Sequence, residues 1–200
     1  MQNRVNPFGC IIDTSARGTW LGNRGQLHGK GKTILRPFKH QAWIICLLEF
    51  KDRRRRIMAP NLWTELFFLD EATALAAGHR PCFECRRADA MRFKAAWIKG
   101  NPAYGYDLKT SIYKIDEILH RERIDDQQQK VTFTATIGEL PNGTFIAIDQ
   151  NPYLVKNHKI YQWTAFGYLK GECLSIETKV EVLTPFSVVN ALKAENGYSS

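Results

Sequence analysis

From Gln41 to Phe50 the chain is almost continuously apolar, and a short run of that kind without helical period predicts a buried strand. Lys51-Asp52 reads as a turn, and Arg53 to Arg56 as the start of a return strand ending at Ile57-Met58-Ala59-Pro60. Leu66-Phe67-Phe68-Leu69 predicts a short strand that feeds a helix. Asp70 is its N-cap, Glu71 to Ala77 its body, and Gly78 the residue after its C-cap. A second helix is expected from about Arg87 to Ile98, with Met91, Ala95 and Ile98 on one stripe. A third, from about Lys109 to Arg123, carries Ile112, Ile115, Ile118 and Leu119 at helical spacing. Lys99 to Tyr106, dense in helix breakers, is the natural boundary between two halves.

Beyond Lys130 the pattern turns to strands. Val131 to Ile137 and Thr144 to Ile148 flank Leu140-Pro141-Asn142-Gly143, whose turn chemistry predicts a hairpin. Further strands are expected at Tyr153–Val155, Lys159–Trp163 and Ser175–Leu183, with Pro185 opening a short final helix. The first forty residues show little periodicity. Together these elements predict an α+β fold. Residues 1–100 form a basic, metal-binding region with a hairpin and a Cys-x-x-Cys helical element, and residues 101–200 a helix with mainly antiparallel strands. The helix from Lys109 has too much apolar surface to stand alone, which favours one shared core.

Charge adds a class of partner. Lys and Arg total 28 against 20 Asp and Glu, a net charge of +8, which favours DNA, RNA or other phosphorylated ligands. The segment Ala16 to Gly25 alternates glycines with Arg17 and Arg24. Such backbone approaches phosphates closely, or is simply an irregular surface loop; it lacks the lysine and spacing of a P-loop. The five cysteines, one close pair and three singles, do not make a secreted disulfide framework. The N-terminus has no apolar signal core, and the longest apolar run, Ala42 to Leu48, is too short for a bilayer. The expectation is a cytoplasmic protein with no membrane partner.

The densest chemistry lies in Gly78-His79-Arg80-Pro81-Cys82-Phe83-Glu84-Cys85-Arg86-Arg87. Two thiolates at Cys-x-x-Cys spacing can grip one zinc ion, and His79 extends the set to His-x-x-Cys-x-x-Cys. A closed tetrahedron needs a fourth ligand, from Cys46, His28, His40 or Cys10. The alternative is a pair of free cysteines packing a turn, with His79 a core or capping histidine. With zinc fastening the helix end, Arg80, Arg86 and Arg87 would splay outward. Together with Arg17, Arg24, Arg53, Arg54, Arg55 and Arg56 they are the candidate phosphate contacts of a nucleic-acid-binding face. Alternatively, the Arg53–Arg56 run is a solvated hairpin rim.

Phe67 to Arg86, an aromatic strand running into an Ala-rich helix and then His-Arg-Pro-Cys-x-x-Cys-Arg, resembles the second half of the zinc-binding domain of the Ada DNA-repair family. That resemblance implies zinc and a role accessory to DNA repair or processing. The family has an aromatic residue where His79 stands. It also has an upstream cysteine pair, one member of which accepts a methyl group; between Gln41 and Leu66 this chain has only Cys46, so methyl transfer is not implied. The wider run, with Arg17-Gly18, Gly22 to Gly25, Leu119 to Arg123 and Leu140 to Gly143, also resembles a family of uncharacterised bacterial proteins, which implies no activity.

A second constellation closes the third helix. His120, Glu122 and Arg123 would suit an enzyme acting on a nucleotide, nucleic acid or small phosphorylated substrate, with His120 as general base near neutral pH, if folding gathers them with the Arg-Gly loops. Alternatively His120 merely complements the helix dipole. The aromatics around Trp163 to Tyr168 suit either a core or a base-stacking platform.

Overall fold

The structure is a computed structural model that describes residues 3–51 and 56–196. Strands β1 (Asn3–Val5), β2 (Ile11–Asp13), β3 (Trp20–Asn23), β4 (Ile44–Cys46) and β5 (Leu66–Phe68) precede helix α1 (Glu71–Ala76), strand β6 (Arg80–Pro81) and helix α2 (Arg87–Gly100). A short 3-10 turn over Pro102–Tyr104 leads to helix α3 (Ile112–Arg123). Then come β7 (Phe133–Thr136), β8 (Phe145–Ile148), β9 (Asn151–Lys156), β10 (Lys159–Thr164), β11 (Gly167–Tyr168), β12 (Lys179–Val182) and helix α4 (Phe186–Asn196). The fold is α+β. One sheet has the order β2-β1-β5-β3-β4-β6, the other β11-β10-β9-β8-β12-β7.

Helix ends follow local chemistry. Asp70 caps α1 by accepting from the Thr73 N–H at 2.8 Å, as expected, and its other oxygen accepts from the Tyr168 hydroxyl at 2.6 Å. Ser111 caps α3, which therefore starts three residues later than Lys109. Gly78 takes φ +81°, left-handed backbone that L side chains rarely adopt. A Cβ there would also collide with the Arg123 side chain at Cδ. Gly78→Ala is expected to cost about 2–4 kcal/mol from combined strain and overpacking; a shift in the urea unfolding midpoint reads it.

Three expectations are corrected. The strand read over Gln41 to Phe50 contracts to β4, and Ile57-Met58 form a turn, so no return strand runs to Pro60; Arg53, Arg54 and Arg55 lie outside the described residues. The first forty residues contain β1, β2 and β3, each too short to display alternation. Strands β7 and β8 are not a hairpin: both pair with β12, which lies between them, and β8 pairs on its other side with β9.

The two halves of the chain share buried surface. Ala76 packs with Phe145, Leu154 and Leu183, and Trp97 of α2 with Ile115 and Leu119 of α3 and Val188 of α4. The aromatics near Trp163 join this packing: the Trp163 indole N–H donates to Thr73 Oγ1 at 3.1 Å, while Phe166 stays exposed. Among the described residues no helix is long and apolar enough to cross a membrane.

Candidate metal centre and adjoining basic cavity

The sequence separates Cys46 from Cys82 by 36 residues, but the sheet joins them. Strands β4 and β6 pair in parallel with Ile45 beside Pro81, and the Cys82 N–H donates to the Ile45 carbonyl at 2.9 Å. The residue after that register on each strand is a cysteine. The Cys-x-x-Cys turn closes when the Arg86 N–H donates to the Cys82 carbonyl at 3.0 Å, which folds Cys85 back. The sulfurs of Cys46, Cys82 and Cys85 all lie within 4.8 Å of one another and could hold a metal ion.

The surroundings suit thiolates. Cys46 and Cys82 are buried among Leu21, Ile44, Trp63 and Phe67. Cys82 Sγ accepts from the Glu84 N–H at 3.3 Å. A hydrogen bond from the Cys46 thiol, and backbone N–H groups of Cys85 and Glu84, pull Cys82 down to about 5 against the opposing cost of burial. Cys46 is pushed up because its proton is held between the two sulfurs and it is buried; burial likewise pushes Cys85 up. Of the three, Cys82 is the sulfur whose surroundings most favour the thiolate. Zinc–sulfur bonds of about 2.3 Å place tetrahedral thiolates roughly 3.8 Å apart, so three ligands need only a small contraction. Cys10, His28 and His40 fall outside the cluster; His28 is engaged with Thr64 Oγ1 at 2.6 Å and the Ala59 carbonyl at 3.2 Å.

His79 does not join the sulfurs. Its ring is fully buried against Phe68 and Trp43, and its Nε2 accepts from Arg24 Nε at 3.1 Å. Burial, with Arg24 and Arg123 nearby, holds it well below the usual histidine range, so it is a neutral core histidine. The reading of His79 as a metal ligand is therefore corrected.

The arginine array is corrected in part. Arg80 is buried, with Nε and Nη2 donating to the two carboxylate oxygens of Asp116 at 2.8 and 2.7 Å. Arg86 is buried over the Trp20 ring and paired with Glu71 and Asp89, both at 2.8 Å. Arg24 is buried against Trp43, its guanidinium carbon 3.8 Å from the ring centroid. These three hold the core together and are not presented to a polyanion. Arg17, Arg56 and Arg87 are exposed.

What folding does gather is a different set. Arg123 lies 3.9 Å from the Trp43 centroid, and donates to the Gly78 and Gln41 carbonyls at 2.7 and 2.6 Å. Its Nη2 also donates to His120 Nδ1 at 2.7 Å, a guanidinium being able only to donate. Burial and that cation take His120 down to about 4, so it is neutral at physiological pH and not poised as a general base near 7. Glu122 is turned elsewhere: it accepts from the Ser187 N–H and hydroxyl at 3.0 and 2.6 Å. Arg24, Arg123 and Lys130 line a cavity of about 600 Å3. The sequence left Lys130 and Trp43 unremarked, because neither belongs to a motif. Their only sign is that polar and aromatic groups without local partners must find distant ones. No protein-family model matches the chain, and no curated protein or solved structure matches it significantly.

Proposed function

We propose that this chain is a zinc-supported nucleic-acid-binding protein. The observation that carries it is the three-sulfur cluster of Cys46, Cys82 and Cys85. The thiol-rich donor set suits zinc, and the ion would tie β4 to the turn before α2. Its part is architectural; a metal held there fixes the turn from which Arg87 emerges. Exposed Arg17, Arg56 and Arg87, with the net charge of +8, supply attraction to phosphates. The Ada-like run from Phe67 to Arg86 supports a role accessory to DNA repair or processing. The enzyme reading keeps only its His120–Arg123 contact. With Glu122 bonded to Ser187, the arrangement supports binding rather than catalysis.

Elemental analysis of purified, tag-free protein should find about one zinc per chain, lost from Cys82→Ser and reduced in Cys46→Ser, which retains only the Cys82–Cys85 pair. Fluorescence anisotropy with labelled single- and double-stranded DNA and RNA should then show affinity falling linearly on a log–log salt plot, each phosphate contact adding about 0.7–0.9 to the slope. Arg87→Ala and Arg17→Ala should each reduce that slope. Negligible affinity for every probe at low ionic strength would sink the nucleic-acid reading, whatever the metal content.

A further inference from the structure

The cavity beside Trp43 has an unusual charge pattern. Arg24, Arg36, Arg123 and Lys130 all line it, and no carboxylate does among the described residues. Arg24 and Arg123, each 1% exposed, both lie against the Trp43 ring, and Arg24 also donates to the Gly9 carbonyl. Burying a guanidinium is costly unless it is paired and hydrogen-bonded. Arg80 and Arg86 meet that requirement with Asp116, Glu71 and Asp89. Arg24 and Arg123 do not. Arg24 donates to His79 and the Gly9 carbonyl and Arg123 to carbonyls and His120, all of them neutral partners, and Arg24 Nη2 and Arg123 Nε have no hydrogen-bond partner. Asp116, the carboxylate whose charge favours protonated Arg123, is itself held by two hydrogen bonds from Arg80.

The strain on this group is visible in its protonation. Burial pulls Arg24 down to about 9 and Arg123 well below its ordinary value, and Lys130, half-buried near both cations, is pulled down as well. Lys130 Nζ donates to the Ala76 carbonyl at 2.6 Å, which fixes its head group at the cavity wall. Arg36 stands exposed at the rim. The remaining wall is largely apolar, including Phe8, Ile11, Ile34, Leu35 and Ile124.

We propose that this cavity is a binding site for a phosphate monoester with a planar, weakly polar body of nucleoside size. A dianion seated between Lys130 and Arg36 would supply the negative charge that this cluster of cations lacks. The apolar wall takes the body, and Gln128 and Gln129 offer amides to its edges. A volume of about 600 Å3 lies within the roughly 300–1,000 Å3 typical of small-molecule sites. The site is separate from the sulfur cluster. Trp43 precedes β4 and Cys46 ends it, three residues on and roughly 10 Å away along an extended strand. The inference therefore stands or falls independently of zinc.

Cys10 is an exposed thiol on the cavity wall, and Cys173 is an exposed thiol outside it. Alkylation of the wild-type chain by iodoacetamide, resolved peptide by peptide, therefore reads occupancy without any substitution. A nucleoside 5′-monophosphate at low millimolar concentration should slow Cys10 labelling several-fold and leave Cys173 unchanged. The parent nucleoside should do nothing, and inorganic phosphate should compete. A 5′-phosphorylated oligonucleotide protecting Cys10, where its 5′-hydroxyl twin does not, assigns the ester to a nucleic-acid end; protection by the mononucleotide alone assigns a free metabolite. Either supports the site. Lys130→Met and the surface variant Arg36→Ala should each weaken binding roughly tenfold, the worth of one charge-assisted hydrogen bond. The proposal is overturned if no phosphate ester protects Cys10, if the nucleoside protects as well as its phosphate, or if both variants bind like the wild type.

Discussion

Asp116→Ala is expected to lower the unfolding free energy by about 3–5 kcal/mol, the cost of stranding a buried charge whose partner has been removed. Arg80 and Asp116 are 5% and 2% exposed at their side chains and meet through two parallel hydrogen bonds. Among the described residues, removing the carboxylate leaves the Arg80 side chain with its hydrogen bond to the Pro81 carbonyl alone, and it deprives Arg123 of the nearby negative charge that favours its protonation. Urea denaturation measures the loss. Arg80→Met combined with Asp116→Leu should recover most of it, because well-packed apolar replacements avoid the desolvation of both ions. A loss below about 1 kcal/mol for Asp116→Ala is the range of solvent-exposed pairs. It would restore Arg80 as a side chain free to meet a phosphate.

That pair also shows where reading the chain by itself stops. Arg80 sits in a basic, zinc-like motif, and nothing within ten residues marks it as different from Arg87. The difference lies 36 residues away, on the inner face of α3, where Asp116 is buried. Local signals served well where the physics is local. Asp70 as an N-cap, Gly78 after the helix and the apolar stripe of α3 all needed only neighbours within a turn. The Leu140–Gly143 turn exists too, with Gly143 at φ +92°. A turn does not choose the partner of the strand that follows it, however, and β12, well downstream of both strands, came between β7 and β8.

The metal site divides in the same way. Cys82 and Cys85 are legible because their spacing is itself the geometry of a tight turn. Cys46 was one candidate among four for a further ligand, and only parallel pairing of β4 with β6 selects it. His79 was lost for the opposite reason. Three residues before Cys82 is good ligand spacing, yet the backbone at Gly78 turns the ring toward Trp43 and Arg24. The basic cavity had no sequence signature at all, being assembled from single residues spread from Phe8 to Lys130.

Saturating zinc is expected to raise the thermal midpoint of the wild-type chain and to leave Cys46→Ser unmoved. An ion bound only by the folded state contributes RT ln(1 + [L]/Kd), about 4 kcal/mol when free zinc exceeds Kd a thousandfold. For a chain of 200 residues that is roughly 8–16 °C of Tm. The unfolded chain keeps the Cys82–Cys85 pair within four residues and retains some affinity, so the observed shift lies toward the lower end. Cys46 is what makes the site a property of the fold. It comes from another strand, and only the β4–β6 register brings its sulfur within 4.8 Å of the other two. Cys46→Ser should therefore keep a weak two-thiol site, equally available before and after unfolding, with no gain in stability. Differential scanning calorimetry across a buffered zinc series separates the cases. Equal shifts in wild type and Cys46→Ser would mean that the folded state holds the metal without Cys46. No shift in either would overturn the fold-dependent three-sulfur site.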